Sequence, residues 1–396
     1  MGAMDAKHTK TITLIFTLIL SVAIGVTSSG FTQEAGKQFP TAPIKNGTTK
    51  WRIGYLQGGE YNEYLISMDA TIKGLMALGW IKEKPLPALT GATGESLWEY
   101  YAQNLESDYL EFVPDGFYSA EWSPEKRKLL KADITRRLNE TDDLDLMIAV
   151  GTWAGIDLAQ GDHHTPTIVL AVSDAVASGI IKTIHDSGNP YIHARVDPNR
   201  YERQVRIFHT IIGFKTIGMI YTDDVEGRSY AAVDKVKKVA RERGFTIQTC
   251  FLDETEALEQ DEDRLIQCFK NLSTSVDALY VTGQRAVNEK TVPILAAIAK
   301  EAQLPTFSQS GYQEVKQGLL LSISQAGYKY VGKFYAETMA QIFNGALPGE
   351  LNQIFEDLPK IAINLSTAEA LSFYPSLDVL SSADEIYREI PDEDHN

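Results

Sequence analysis

From Trp51 onward short apolar runs alternate with amphipathic stretches, the pattern that gives parallel strands covered by helices on both faces. Residues 51–56 predict a first strand, closed by Gln57-Gly58-Gly59. Residues 61–78 then carry Leu65, Met68, Ile72, Leu75 and Leu78 on one helical stripe. The run LDLMIAV over 144–150 has no polar alternation after Asp145, as expected for a strand buried on both faces. Residues 109–113 and 167–172 predict further strands, with a charged surface helix over 124–138. Pro85, Pro87, Gly91 and Gly94 break residues 81–105 into an insertion with at most a short helix near its end.

The second half repeats this grammar. Strands are expected at 216–221, 245–251, 278–281, 305–307 and 319–323, with helices over 201–212, 228–243, 261–271 and one ending near 302. A helix over 328–343 stops at Asn344-Gly345 with Pro348 beyond, and it can return to the first half. The fold class is therefore α/β: two Rossmann-like lobes with parallel sheets flanked by helices. The first is expected to take 51–197 and 328–358 and the second 198–327 and 359–396, with a crossing at 194–198.

Ahead of these units Lys7 and Lys10 precede an uncharged apolar run over 11–26, followed by the small residues Thr27, Ser28 and Ser29. This is the pattern of a secretory signal over 1–28, with a polar tether over 29–50. An uncleaved anchor is the other reading, because the run approaches the length of a membrane span. No cysteine follows the run, so no lipid anchor is expected there.

With 396 residues, 44% hydrophobic and 23% charged, the chain is long enough for two lobes and globular in composition. Its formal charge of −16 repels phosphate backbones and argues against nucleic acid as a partner. Cys250 and Cys268 are too few for a disulfide scaffold or a four-thiolate zinc site; a single bridge between them and two buried thiols are both open. There is no G-x-S-x-G, H-E-x-x-H, P-loop or G-x-G-x-x-G after a strand. His163-His164 reads as a solvated loop and Asp142-Asp143-Asp145 as a connection, so neither metal nor cofactor nor catalysis is expected.

The informative feature is a set of six polar turns, each after an apolar strand and before a helix, where free backbone N–H groups face a cleft. They are Gln57-Gly58-Gly59, Gly151-Thr152-Trp153, Ser173-Asp174, Thr222-Asp223-Asp224, Thr282-Gly283-Gln284 and Ser308-Gln309-Ser310. Trp153 is expected either to stack on an apolar ligand or to pack with Trp122 or Tyr64. Asp174, Asp223 and Asp224 are candidate ammonium partners. Thr152, Ser173, Ser308 and Ser310 are candidate carboxylate partners.

The segments IGYLQGGEYNEYLISMDATIKGLMALGW, DLMIAVGTWAGIDLA, TPTIVLAVSDAVASGII, TIGMIYTDDVEGRSYAAVDKVKKVARERGF, DALYVTGQRAVNEKTVPILAAIAKEAQLPTF and IAINLSTAEALSFYPSLDVLSSADEIY resemble the substrate-binding proteins of ABC importers, and more narrowly the tryptophan-binding branch. The resemblance covers most of the chain from Trp51 to Ile390. It implies a type I periplasmic-binding-protein fold whose hinged lobes close on a small molecule, an aromatic or apolar amino acid, and deliver it to a permease of the inner membrane. A monomeric periplasmic protein without cofactor follows. The family's cleft-facing turns match Gln57-Gly58, Gly151-Thr152-Trp153, Val172-Ser173-Asp174, Thr222-Asp223, Thr282-Gly283-Gln284 and Ser308-Gln309. This chain departs from the family in having Asp174-Ala175 where Asp-Pro is common, and in the long stretch over 81–105, a candidate cap or docking surface. The other readings are a periplasmic sensing subunit for a membrane kinase or receptor, and a secreted hydrolase using Asp174, Asp223 or Asp224.

Overall fold

The structure is a computed structural model that describes residues 39–253, 257–325, 329–356 and 359–389. The signal expected over 1–28 and the first part of the tether lie outside the described residues, and no described helix is long and apolar enough to cross a membrane. The described end of the tether is fastened to the body. Trp51 Nε1 donates to the Ile44 carbonyl at 2.8 Å, Trp80 Nε1 to Thr41 at 2.9 Å, and Asn344 Nδ2 to Ala42 at 3.0 Å.

Strands β1 (Trp51–Gln57), β2 (Leu110–Ser119), β3 (Leu146–Val150), β4 (Thr167–Leu170) and β5 (Ile192–Ala194) form a parallel sheet in the order β2-β1-β3-β4-β5. The apolar run read as a doubly buried strand is β3. Leu146, Ile148 and Val150 enter the core on one face, and Met147 and Ala149 enter it on the other. The helices of this region are α1 (Asn62–Ala77), α2 (Gly94–Asn104), α3 (Pro124–Arg136) and α4 (Gly151–Ala159). The insertion does not cap a cleft: α2 buries Leu97, Trp98 and Tyr101 in the core beside β2, and Trp98 Nε1 donates to the Val113 carbonyl at 2.9 Å.

The second sheet is built from β6 (Thr216–Thr222), β7 (Thr246–Leu252), β8 (Ala278–Val281), β9 (Thr306–Ser308), β10 (Leu321–Gln325), β11 (Pro359–Asn364) and β12 (Ala383–Tyr387). Its order is β12-β11-β10-β9-β8-β6-β7, parallel except where β11 runs antiparallel to β10. Its helices include α5 (Arg200–Ile212), α6 (Val225–Tyr230), α7 (Val233–Arg243), α8 (Leu258–Ser273), α9 (Val292–Glu301) and α10 (Tyr312–Lys316). The cysteine alternative resolves to a bridge: Cys250 on edge strand β7 is joined to Cys268 on α8, with Cα atoms 5.7 Å apart. A loop of this size adds about 3 kcal/mol against the unfolded chain.

Helix α11 (Lys329–Phe343) returns from β10 to the first region, where Val331, Tyr335, Ala336 and Met339 share a core with Leu65, Ile72 and Leu75 of α1. Gly332 allows this packing, because a Cβ there would lie 2.3 Å from the Ala70 carbonyl oxygen. The chain passes between the two regions at 195–199, between β10 and α11, and between α11 and β11. The first and last passages pair side by side, with Val196 N donating to Gln353 O at 2.7 Å and Phe355 N to Val196 O at 3.0 Å.

Candidate ligand-binding cavity

The carboxyl ends of both sheets contribute walls to one cavity of about 900 Å³, counting its open mouth. On the first wall four rings form a row. Tyr61 and Tyr64 lie 5.3 Å apart centre to centre, Tyr64 and Trp122 6.3 Å, and Trp122 and Trp153 5.5 Å. The local backbone is shaped around them. Gly151 adopts φ +85°, and a Cβ there would stand 1.9 Å from the Tyr64 hydroxyl, so only glycine lets that ring lie over the β3 turn. Glu121 and Trp122 both hold left-handed φ, 51° and 58°, a strained pair fastened by Trp122 N donating to Gly58 O at 2.8 Å. Of the two readings of Trp153 the structure shows the packing one, edge-on to Trp122, and the residue also lines the cavity.

Charged groups converge on the same space. Glu63, in the first turn of α1, lines the cavity and has no hydrogen bond or ion pair among the described residues. Arg195 and Arg200, on and just after the first passage, line it too, lying 5.4 Å from the Phe355 ring and 5.2 Å from the Tyr201 ring. Burial raises the Tyr201 phenol above its ordinary range, and its hydrogen bond with Ser173 opposes this. The Tyr61 hydroxyl meets Ser310 Oγ of the second wall at 3.4 Å.

The second wall presents mainly amides and hydroxyls, together with Tyr230 and with Arg285, whose charge is paired with Asp261. Gln309 accepts from Gly283 N at 2.9 Å and donates to the Tyr230 carbonyl at 2.7 Å, so its amide sets the shape of the turn. Gln284 is buried with its Nε2 on Thr282 Oγ1 at 2.9 Å. Below them Ser308 donates to Glu314. Burial pushes the Glu314 carboxyl up to about 7, a rise opposed by Ser308 and Ser310 and reinforced by the charge of Glu63.

The sequence-predicted residues divide sharply. Thr152, Trp153, Ser173, Gln284 and Gln309 line the cavity together with Gly283 and Ser310. Gln57 and Gly58 line instead a smaller hollow that also touches Trp153, and the Gln57 amide is used on Glu60 at 2.8 Å. Gly151 lies under Tyr64, while Thr282 and Ser308 are buried and bonded within the fold. Thr222 opens on a separate hollow beside Arg127 and Lys131. The aspartates read as ammonium partners are all engaged elsewhere. Asp174 accepts from Val176 N and Ala177 N at 3.1 and 2.9 Å, and Asp224 caps α6 by accepting from Gly227 N at 2.6 Å. Asp223 pairs with Arg228 at 2.7 Å, which holds its carboxyl below the usual range. Glu63, Arg195, Arg200 and Tyr61 were not singled out from sequence as site residues, and Tyr64 was named only as a packing partner of Trp153. The available signal was weak: Tyr61, Glu63 and Tyr64 directly follow the Gln57-Gly58-Gly59 turn, one helical turn beyond where the turn pattern stops.

Contacts also bridge the regions beside the cavity. Arg127 of α3 donates to Asp157 of α4 at 2.8 Å and to Glu226 of α6 at 3.0 Å, while its guanidinium lies 4.5 Å from the Trp153 ring centre. Ser229 Oγ donates to the Asp174 carbonyl at 3.2 Å.

Two α/β regions with mostly parallel sheets, joined by three passages of the chain and both walling one cavity, define a type I periplasmic-binding-protein fold. The chain belongs to the ABC transporter substrate-binding protein family, whose model matches residues 119–387. That family comprises extracytoplasmic solute-binding proteins and is not an enzyme family. The chain is 24% identical over 233 residues to a tyrosine-binding protein of Clostridioides difficile (strain R20291), a match covering 58% of this chain and 64% of that protein, less than two thirds of its length. Among solved structures it is similar to an ABC domain from Streptococcus pneumonia in complex with L-Trp, with TM-score 0.66, 19% identity and coverage of 85% of this chain and 100% of that one. It is also similar to the ligand-free, open structure of a substrate-binding protein with adhesive properties from Clostridium difficile, with TM-score 0.58, 20% identity and coverage of 86% and 100%. At these identities the structural likenesses carry the fold.

Proposed function

We propose that this protein is the periplasmic solute-binding subunit of an ABC importer, capturing an aromatic amino acid between its two lobes and delivering it to an inner-membrane permease. The observation that carries this reading is the cavity itself, which sets a row of four aromatic rings beside two arginines and a carboxylate that has no partner among the described residues. A zwitterion with a flat apolar side chain matches each part. The ring takes the aromatic row, the ammonium takes Glu63, and the carboxylate takes Arg195 or Arg200 together with the polar turn at Ser173. Burying about 150 Å² of ring surface contributes about 4 kcal/mol. A micromolar complex needs about 8 kcal/mol, so the charged contacts supply the rest after the cost of ordering.

The tyrosine-binding relative and the L-Trp complex support the ligand class. In this reading the N-terminal segment over 1–28 directs export, the protein acts as a monomer, and no metal or cofactor takes part. Isothermal titration of the folded mature protein against amino acids, nucleosides and sugars tests it. The expected result is binding confined to aromatic amino acids; a panel in which none of them binds overturns the reading. Native mass spectrometry of protein purified without refolding gives a second check through any retained ligand.

A further inference from the structure

Gln284 is 2% exposed and lines the cavity from the second wall. Its amide orientation follows from its neighbours. The Thr282 hydroxyl donates its single proton to the Ile220 carbonyl, which cannot donate in return. The Thr282 oxygen can therefore only accept from Gln284, so the atom at 2.9 Å from it must be the amide nitrogen. Gln284 Oε1 is left as a buried acceptor with no partner among the described residues. A ligand filling the cavity must bring a donor to this oxygen or leave it stranded away from water.

An aromatic amino acid has two kinds of donor to offer, its ammonium and a polar ring atom. The ammonium is matched by charge to Glu63. Gln284 is neutral and follows Gly283, whose Cβ position would lie 3.6 Å from the Tyr61 hydroxyl, at the start of the aromatic row. It thus approaches the row that would hold the ligand ring from the opposite wall. We infer that Gln284 is a specificity-determining residue whose Oε1 accepts from a ring N–H or O–H, so that the cavity takes tryptophan or tyrosine and rejects phenylalanine. This rests on the aromatic amino-acid reading above. A buried acceptor left unpaired by phenylalanine weakens binding about 10- to 100-fold.

The test is titration calorimetry of wild-type protein with tryptophan, tyrosine, phenylalanine and N1-methyltryptophan, repeated on Gln284→Met. In the wild type, phenylalanine is expected to bind about 10- to 100-fold more weakly than the better of tryptophan and tyrosine, and methylation of the indole nitrogen should weaken tryptophan. In Gln284→Met the gap to phenylalanine should close to within a few-fold. Phenylalanine binding the wild type as tightly as the other two overturns the inference while leaving the aromatic reading intact. A variant that loses all three ligands equally also overturns it, because the oxygen then serves the ammonium. If none of the three binds, the broader reading fails and takes this one with it. Should the variant not fold, the wild-type series with phenylalanine and the methylated indole decides alone.

Discussion

The first wall of the cavity ends its strand turns in bulk and charge, the Tyr61, Tyr64, Trp122 and Trp153 rings with Glu63 among them, whereas the second ends its turns mainly in Gln284, Gln309 and Ser310, its Arg285 being paired with Asp261. Both walls stand on the same strand-turn-helix plan. The polar groups of the second wall are largely tied to one another, as in Gln309 spanning Gly283 N and the Tyr230 carbonyl. Large apolar area gives affinity whichever flat ring arrives, while a rigid, pre-bonded polar wall discriminates through the few atoms it leaves open. Similar topology therefore carries a division of labour, with energy from one region and selectivity from the other.

The sharpest way to break that division is Trp153→Ala, which removes the last ring of the row and the surface beneath Arg127. Affinity for the aromatic ligand should fall by about 3 kcal/mol, roughly 150-fold, with an unchanged far-UV spectrum. An unaltered Kd by titration calorimetry would shift the bulk of the binding energy away from the first wall. Glu63→Gln comes next. It keeps the shape and removes the charge, so binding of the amino acid should weaken by about 2 kcal/mol, whereas a deaminated analogue, which lacks the ammonium, should bind no worse to the variant than to the wild type. Equal losses for both ligands would place the ammonium elsewhere.

The fold was legible wherever hydrophobic period alone decides structure. The unbroken apolar run of β3 and the stripe of α1 correspond to elements at those positions. Strands β11 and β12 escaped because β12 alternates exposed and half-buried positions without a strong apolar signal, and the antiparallel pairing of β11 depends on where the chain returns. The site was half legible. Strand-end turns are readable, but a polar residue there bonds equally well to its own helix, as Asp174 and Asp224 do. Glu63 lies in the first turn of a helix, just past the polar strand-end turn, and Arg195 follows a strand too short to anticipate, so neither stood at a position marked by the turn pattern. The Cys250 and Cys268 pairing depended on β7 and α8 facing each other, which sequence spacing does not determine.

The comparison sharpens further on acidity, because the carboxyl of the second wall is held inside the protein. Glu314 is half-buried over its whole side chain, yet its carboxyl is pushed up to about 7 from 4.5, chiefly by burial. The native state then keeps a proton that the unfolded chain releases near pH 4.5, so this contribution to stability is complete below that pH and is lost as pH rises through about 7. Discounted for the partial exposure, the loss amounts to about 2 kcal/mol by pH 8. Glu314→Gln should flatten the fall in Tm between about pH 5 and 8 and leave the variant more stable than wild type at the upper end. A Tm difference that stays constant with pH would show that the group titrates normally.

The smallest expected effect lies where the two walls touch. Arg127 is held on its own region by Asp157 and reaches Glu226 of the other region at 3.0 Å, with the three side chains 17%, 9% and 26% exposed. Glu226→Gln removes only the charge that crosses between regions, so it should weaken ligand binding by about 1 kcal/mol, with the change appearing mainly as faster release. Asp157→Asn loosens Arg127 from its own region and should act first on stability. Because the guanidinium lies over the Trp153 ring, the two effects are coupled. In a Trp153→Ala background, Glu226→Gln should cost less than it does alone, and stopped-flow release rates for the four proteins of that cycle measure the difference. Strict additivity would mean that the ring and the ion pair act independently, and the two walls would then close without the ligand-facing ring taking part.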